Sequence, residues 1–213
     1  MASTSSSLPP PVGGWDTRES LADMPVKHAI LLDNWFPETD KVTMRRGSTD
    51  HATGMTGAVE TLISFVPESG ARQLFAAANG AIYNVTSAGS VGSPVATGYG
   101  NNRWQFVNIA TSAGQFVRMF NGSNTPLLFN GSSWSTTAIT GSGLTASNLI
   151  WGNLHQSRLW VGEKDSLSAY YLAVNNVSGA ATEFPLGGVA SKGGFIQAMG
   201  TWTRDSGAGA DDV

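Results

Sequence analysis

The chain has 213 residues, of which 13% are charged, 26 are glycine and none is cysteine, and its formal net charge at pH 7 is -3. This length allows one large or two small domains with a hydrophobic core, and the lack of cysteine excludes disulfide frameworks and thiolate zinc sites. The weak negative charge argues against tight binding of nucleic acid through neutralised phosphates.

The amino terminus, residues 1–12, is rich in Ser and Pro and carries neither Lys nor Arg. It lacks the basic and apolar regions of a secretory signal, so we expect a flexible, extended arm. No window of the sequence approaches 18 consecutive apolar residues, and we therefore expect no membrane span.

Residues 13–57 are predicted to form an N-terminal docking segment that ends in a polar linker. Asp23 and Pro25 are suited to begin a short helical turn. The apolar run from Ala29 to Pro37 indicates a buried strand after that turn. The alternation of polar and apolar residues in Lys41–Gly47 indicates a second strand with one face in water.

The stretch Gln115–Gly131 predicts one β-hairpin. Two apolar, aromatic runs, Phe116–Phe120 and Leu127–Phe129, supply the strands. Asn-Gly pairs at 121/122 and 130/131 supply turn residues that tolerate positive φ and let antiparallel strands reverse direction.

The hairpin pattern recurs on both sides of this stretch, which predicts an internal repeat. Leu74, Phe116 and Leu159 occupy corresponding positions and are spaced by 42 and 43 residues. A further strand precedes each hairpin, and the centres of these strands are spaced by 43 to 46 residues: Ile63, Phe106, Ile150 and Ile196. A period of about 40–45 residues that carries four short strands is the size of a β-propeller blade.

We therefore predict an all-β fold in which residues 58–213 form a partial β-propeller with blades of four antiparallel strands. The predicted blades span residues 58–98, 99–142 and 143–190, with a truncated fourth at 191–213. Phe195–Met199 is the expected first strand of the fourth, and the last residues are expected to form a hairpin turn without its return strand. Such a propeller cannot close, so we expect either a longer protein or blades from another chain. A β-sandwich is the alternative fold.

No pattern of residues predicts a catalytic, cofactor or metal site. The three histidines are isolated from one another and from any metal-binding motif: His28, His51 and His155. Glu163 and Asp165 flank Lys164 at a predicted hairpin tip, where charge is expected because such tips are exposed. We therefore expect a protein that is not an enzyme and that binds no cofactor or metal.

Three elements follow the Gly-rich opening at residue 13: Met24-Pro25, Leu32–Pro37 and Val42–Gly47. Together they resemble the amino-terminal signature of a family of tailed-phage and prophage virion proteins, the propeller-bearing tail nozzle, tail tube or packaged-DNA stabilisation proteins of short-tailed phages. The resemblance implies a structural protein of the virion tail that is made in the host cytoplasm. It also implies a homo-oligomeric ring, with a hexamer expected, that docks on the portal or adaptor and other tail proteins and contacts DNA non-specifically at most.

Six residues of the same segment are candidates for docking on a partner protein: Trp15, Arg18, Trp35, Phe36, Arg45 and Arg46. Two interpretations remain open for the three aromatic residues, because aromatic side chains dominate burial in Gly-rich β folds and these three are also expected in a core. Arg45 and Arg46 could likewise flank a strand end in water.

A carbohydrate- or host-receptor-binding propeller is the alternative function. Its stacking platforms would be four tryptophans at blade edges, although Trp also fills the space between blades: Trp104, Trp134, Trp151 and Trp160. A propeller enzyme that acts on glycans is disfavoured because the sequence nominates no acid and base pair.

Overall fold

The computed structural model describes residues 7–205 and 210–212, with the backbone alone described for 203–205 and 210–212. It divides into two units at Thr49/Asp50. The fold is all-β, as predicted, and the helical element in the described residues is a 3-10 turn at Ala146–Asn148. None of the described residues belongs to an apolar helix of membrane-crossing length.

The N-terminal unit contains two pairs of short strands. In the first, β1 (Gly14–Trp15) runs parallel to β2 (His28–Ala29). In the second, β3 (Trp35–Pro37) runs antiparallel to β4 (Val42–Met44). Gly13 and Gly14 are required by this arrangement, because a Cβ on Gly13 would lie 2.7 Å from the His28 ring and Gly14 has a φ of +87°.

The predicted buried strand from Ala29 to Pro37 is wrong in two respects. Asn34 adopts a φ of +63°, a left-handed conformation that Asn tolerates better than most residues. The turn at Asn34 divides the run into β2 and β3, and β3 is exposed. A turn does begin at Pro25, where the amide of His28 donates to Pro25 O at 2.9 Å, but it is a single hydrogen-bonded turn and not a helix. The strand predicted within Lys41–Gly47 is confirmed as β4.

The second unit begins with β5 (Ala52–Thr53) and continues as three antiparallel meanders of four strands, termed modules 1, 2 and 3. Module 1 contains β6 (Val59–Phe65), β7 (Gln73–Ala78), β8 (Ala81–Asn84) and β10 (Ala96–Thr97). Module 2 contains β11 (Gln105–Thr111), β12 (Gly114–Phe120), β13 (Leu127–Phe129) and β14 (Trp134–Ser135). Module 3 contains β16 (Leu149–His155), β17 (Arg158–Glu163), β18 (Ser168–Leu172) and β19 (Gly179–Pro185).

Two parallel pairings lie beside the meanders. The strand β5 pairs with β9 (Gly89–Ser90), and β15 (Ile139–Thr140) pairs with β19 at the edge of module 3. Module 1 has a buried cluster on the face of its sheet that points away from module 2, termed its outer face. Ala52 and Met55, from the segment that contains β5, pack against this cluster. The segments before modules 1 and 3 therefore each add a short strand next to the module that follows.

The hairpin predicted within Gln115–Gly131 is confirmed. The strands β12 and β13 pair antiparallel, with Val117 opposite Phe129. At the start of the connecting loop the Asn121 side chain accepts hydrogen bonds from the amides of Ser123 and Asn124, at 3.1 and 2.8 Å. The side-chain oxygen of Asn therefore replaces a backbone acceptor and stabilises the turn.

Consecutive modules pack through their sheet faces along two apolar seams. The seam between modules 1 and 2 is filled mainly by Ile63, Phe65, Phe75, Ile82, Trp104, Val117, Met119, Leu127 and Phe129. The seam between modules 2 and 3 is filled mainly by Ile109, Phe120, Ile139, Leu149, Leu159, Val161, Tyr170 and Leu172. Each of the two seams thus joins modules that are consecutive in sequence.

Hydrogen bonds across the seams join residues that lie about one repeat apart. They are Thr61 Oγ1 to Asn102 O at 2.6 Å, Asn108 Nδ2 to Ser64 O at 3.0 Å and Lys164 Nζ to Gly122 O at 3.0 Å, with separations of 41, 44 and 42 residues. The repeat in the sequence is therefore also a repeat in the contacts between modules.

The alignment of Leu74 with Phe116 is wrong by one residue. Leu74 packs on the outer face of module 1, whereas Phe116 packs into the seam between modules 2 and 3. A shift of one residue moves a side chain to the opposite face of a strand. Arg118 shares its face of β12 with Phe116 and Phe120, so this face, which meets module 3, corresponds to the face of β7 that carries Phe75 and meets module 2.

The segment after module 3 differs from its prediction. Phe195–Met199 is not a strand, but Ile196 O accepts a hydrogen bond from Trp151 Nε1 at 3.4 Å, across 45 residues. The strands β20 (Thr203–Asp205) and β21 (Ala210–Asp212) pair antiparallel, so the return strand that was expected to be missing is present. Residues 206–209, between these two strands, lie outside the described residues.

Arg118 brings a positive charge into the interior of the fold. Its side chain is 0% exposed, and Nη2 donates to the carbonyl of Thr137. Nε and Nη1 have no hydrogen-bond partner among the described residues. Removal from water disfavours the charged form, and this desolvation lowers the pKa of Arg118 to about 10.

Replacing Arg118 with methionine is expected to stabilise the protein by about 1–2 kcal/mol, because an apolar side chain of similar length removes the cost of an unpaired buried charge. The pKa of Arg118 is lower in the folded than in the unfolded state, so wild-type stability should rise relative to R118M as the pH rises through 10. Urea denaturation of both proteins between pH 8 and 11 checks this. A less stable R118M at every pH would contradict it.

Candidate docking surface

The N-terminal unit lacks an apolar core of its own. None of the buried apolar side chains of the described chain belongs to residues 7–49. Trp15 is 70% exposed, Trp35 46% and Phe36 55%. Large aromatic side chains normally supply the buried surface of a small unit, but these three are exposed. The interpretation of them as core residues is therefore wrong.

A groove of about 410 Å³ lies on this unit, and it is termed the aromatic groove. Its lining consists of Trp15, Ile30, Leu31, Leu32, Asp33, Trp35 and Pro37. The end of β1 places the first indole and the start of β3 places the second. Trp15 Nε1 donates to Ile30 O at 2.9 Å, which fixes the edge of that ring. The groove is thus walled by two indoles and contains one carboxylate.

The two sides of β3 present different aromatic residues. Trp35 and Pro37 line the groove, whereas Phe36, between them, does not. Successive side chains of a strand point to opposite faces, so Phe36 lies on the face of β3 opposite the groove. Exposed aromatic side chains on both faces of a strand are candidates for interaction sites.

The predicted docking residue Arg18 is engaged within its own chain. Its Nε and Nη2 donate to the two carboxylate oxygens of Asp16, at 3.0 and 2.8 Å, and its backbone amide also donates to this carboxylate. The side-chain and backbone hydrogen bonds from Arg18 hold the pKa of Asp16 well below its usual range. Arg18 therefore stabilises the turn after β1.

Arg45 and Arg46 are exposed and follow β4 directly. The amide of Arg45 donates to Asn34 O at 2.7 Å, which extends the β3–β4 hairpin by one hydrogen bond. Neither arginine lines the aromatic groove. Of the six predicted docking residues, the structure thus brings Trp15 and Trp35 together in the groove and places the other four outside it.

The aliphatic lining of the groove was not predicted from the sequence; it consists of Ile30, Leu31 and Leu32. These residues were assigned to a buried strand because they are consecutive and apolar. The Asp33-Asn34 pair was the available signal, since both residue types favour turns and Asn tolerates positive φ. The turn at Asp33-Asn34 interrupts the apolar run, so Ile30, Leu31 and Leu32 do not form part of a buried strand.

The four tryptophans of the alternative hypothesis lie in different environments. Trp104 and Trp151 are buried, and Trp134 is partly buried against the seam between modules 1 and 2. Trp160 is partly exposed and packs against Tyr171 and Phe184, with ring centroids 5.0 and 5.7 Å apart. Trp104 and Trp151 are therefore packing residues. The side chain of Trp160 is more exposed than those of Trp104 and Trp151.

Glu163 is buried, in contrast to the exposed hairpin tip that was predicted for it. Its Oε1 accepts the amide of Thr145 at 2.7 Å, and its Oε2 accepts the hydroxyl of Tyr170 at 3.4 Å. Burial, together with the nearby carboxylate of Glu163, raises the pKa of Tyr170. Among the side chains of residues 7–202, no group of three His, Asp or Glu is placed to hold a metal ion.

Comparisons with protein-family models, with curated proteins and with solved structures return no significant match to this chain. Its relationship to a known family is therefore a hypothesis, which depends on the residues of the 13–47 segment.

Proposed function

We propose that this protein is a structural component of a phage virion tail, of the nozzle or tail-tube type. In this proposal it assembles as a homo-oligomeric ring at the DNA exit and docks on the portal or adaptor. It helps to retain and conduct the genome without catalysis. The exposed aromatic side chains on both faces of β3, in a unit without an apolar core, are the observation that carries this proposal.

The modules support a β-propeller as the architecture of the second unit. Three meanders pack in sequence order, and the hydrogen bonds between them recur at 41 to 44 residues. A β-sandwich would instead place the strands in two facing sheets. Consecutive four-stranded units around an axis are the defining arrangement of a propeller.

The composition supports a wall along which DNA can move. The chain has 12 Lys and Arg residues against 15 Asp and Glu residues. A surface without net positive charge does not hold the phosphate backbone strongly. Contact with DNA in such a ring would therefore be non-specific and weak.

Phe36 and the exposed Arg45 and Arg46 are the proposed contact with the portal or adaptor. We expect Phe36→Ala to reduce incorporation of the protein into virions about tenfold, which corresponds to roughly 1.4 kcal/mol for an exposed aromatic anchor. The measurement is the amount of tagged protein in purified particles. Negative-stain electron microscopy of the purified wild-type protein should show rings.

Val26→Ala is the matched control, because Val26 is an exposed apolar residue of the same unit outside the groove and outside β3. Equal incorporation of the Phe36 and Val26 variants would show that Phe36 is not the docking contact. A wild-type protein that stays monomeric and never enters particles would refute the proposed function itself.

A carbohydrate-binding role remains the second candidate, favoured by the partly exposed ring of Trp160 beside Tyr171 and Phe184. Aromatic faces of this kind can stack on sugar rings. A glycan array on which the wild-type protein gives no signal would remove this candidate.

A further inference from the structure

Three Asn-Gly pairs lie in turns between strands, at 79/80, 121/122 and 130/131. Asparagine is chemically labile, and a glycine after it leaves the next backbone nitrogen free to attack the side-chain carbonyl, because glycine carries no side chain. The attack releases the side-chain nitrogen of the asparagine as ammonia. All three pairs have the same sequence, so their surroundings in the fold decide which of them reacts.

The attacking atom is the backbone nitrogen of the glycine, and two of the three are held by hydrogen bonds. The amide of Gly80 donates to Asn102 Oδ1 at 2.8 Å, and the amide of Gly122 donates to Leu149 O at 2.8 Å. Within the described residues, no acceptor holds the amide of Gly131. An amide that donates must lose its hydrogen bond before it can attack, so Gly131 has the most available nucleophile.

The carbon that is attacked is Cγ of Asn130, and its carbonyl oxygen is surrounded by donors. Asn130 Oδ1 accepts hydrogen bonds from the amides of Ser132 and Ser133, at 3.0 and 2.8 Å, and from the Ser133 hydroxyl at 3.4 Å. Negative charge develops on this oxygen when a nucleophile adds to the carbonyl, and donors placed there lower the barrier to addition. Asn130 is also exposed, so the water needed for hydrolysis reaches it.

Asn121 provides a comparison within the same chain, because its side-chain oxygen also accepts hydrogen bonds from the amides two and three positions later. It differs in its leaving group and in its burial. Its Nδ2 donates to Asn101 O at 3.2 Å and to Asn124 Oδ1 at 3.0 Å, and the residue is buried. Asn130-Gly131 is therefore the pair that combines a free amide, a polarised carbonyl and access to water.

We propose that Asn130 is a site of spontaneous deamidation in the folded protein. The nitrogen of Gly131 gives its proton to hydroxide and bonds to Cγ of Asn130. The bond from Cγ to Nδ2 breaks, and the nitrogen takes a proton from water and leaves as ammonia. The product is a five-membered succinimide ring between the two residues.

Water then opens the ring at one of its two carbonyl groups. Breaking the bond from the Gly131 nitrogen to Cγ gives aspartate, and breaking its bond to the backbone carbonyl carbon of Asn130 gives isoaspartate. The net change replaces a neutral amide with a carboxylate and releases ammonia, and no group is oxidised or reduced.

The conversion alters the contact between modules 1 and 2. Gln73 Nε2, at the start of β7, donates to Gly131 O at 3.1 Å, and this hydrogen bond joins the turn to module 1. Isoaspartate adds one carbon to the backbone before Gly131, which moves this carbonyl relative to Gln73. Both products also place a negative charge in the turn, so aged protein carries a more acidic and weaker contact there.

Peptide mapping by mass spectrometry, after incubation of the full-length protein at pH 8 and 37 °C, tests the site. In the folded protein Asn130 should convert about tenfold faster than Asn79 or Asn121, the rate ratio that corresponds to breaking one net hydrogen bond. In urea the fold is lost, and the three pairs should react within a few-fold of one another. Asn79 or Asn121 reacting as fast as Asn130 in the folded protein would overturn the inference, as would an Asn130 that reacts only in urea.

Asn130→Ser is the matched variant. Serine retains an oxygen that can accept the amide two positions later, but it has no carbonyl for the Gly131 nitrogen to attack. The intact mass of this variant should stay constant while the wild type exchanges nitrogen for oxygen, and circular dichroism verifies the wild-type fold. A variant that changes mass at the wild-type rate would overturn the inference. Deamidation requires neither a ring nor a partner protein, so these outcomes and those of the virion experiments are independent.

Discussion

Phe129→Ala is expected to lower the free energy of unfolding by about 3–5 kcal/mol, the usual cost of removing a buried phenyl ring. The Phe129 ring packs edge-on against Phe65 and Phe75, with centroids 5.2 and 5.0 Å away, and at a tilt against Trp134. Phe65 and Phe75 belong to module 1 and Phe129 to module 2. The substitution therefore removes the ring that joins the two modules, and urea denaturation measures the loss.

Phe195→Ala is the matched control, because Phe195 is 53% exposed and replacing it leaves no internal cavity. Its effect should stay below about 1 kcal/mol. If both substitutions cost the same, the aromatic seam would not be the main source of cohesion between modules 1 and 2. A separate early transition for module 1 in the Phe129 variant would show directly that the seam couples the modules.

Gly162→Ala should destabilise the protein by about 1–3 kcal/mol, as expected for overpacking of a filled site. Gly162 lies opposite Trp151 in the pairing of β16 and β17, and a Cβ at this position would overlap the indole of Trp151. The indole cannot move freely, because Trp151 is buried and its Nε1 donates to Ile196 O. Thermal unfolding and the near-ultraviolet circular dichroism of the tryptophans both report the change.

Gly188→Ala serves as the control for this substitution, since a Cβ at Gly188 meets no atom within 4 Å. Its effect should lie within about 0.5 kcal/mol of zero. In an ordinary extended strand, Ala is preferred to Gly because Gly loses more conformational entropy on folding. A stabilised Gly162→Ala variant would therefore show that the Trp151 ring shifts at little cost.

The repeat of modules shows how far local patterns predict this fold. The apolar runs that flank Asn121-Gly122 predicted β12 and β13 correctly, because strand pairing and turn chemistry depend on residues close in sequence. The assignment of faces failed by one position at Leu74, because a period of two specifies alternation and leaves open which side meets the next module. Only the packing of the modules decides that.

The docking surface shows a second limit of local patterns, which do not predict which apolar side chains stay exposed. Hydrophobic character left both a core role and a docking role open for Trp15, Trp35 and Phe36. Burial requires a facing surface, and residues 7–49 supply none that covers them. Arg118 is the converse case, because it carries a charged side chain and is nevertheless 0% exposed. The exposed fraction of a side chain depends on which residues, distant in sequence, pack against it.

The amino-acid sequence by itself determined that the chain is all-β, where its central hairpin reverses and at what interval its strands repeat, because propensity and turn geometry act over a few residues. The tertiary structure decided which faces are sealed between modules, which indoles remain accessible in the aromatic groove and which charges are buried. These outcomes depend on contacts between residues 40 or more positions apart, and no local pattern encodes them.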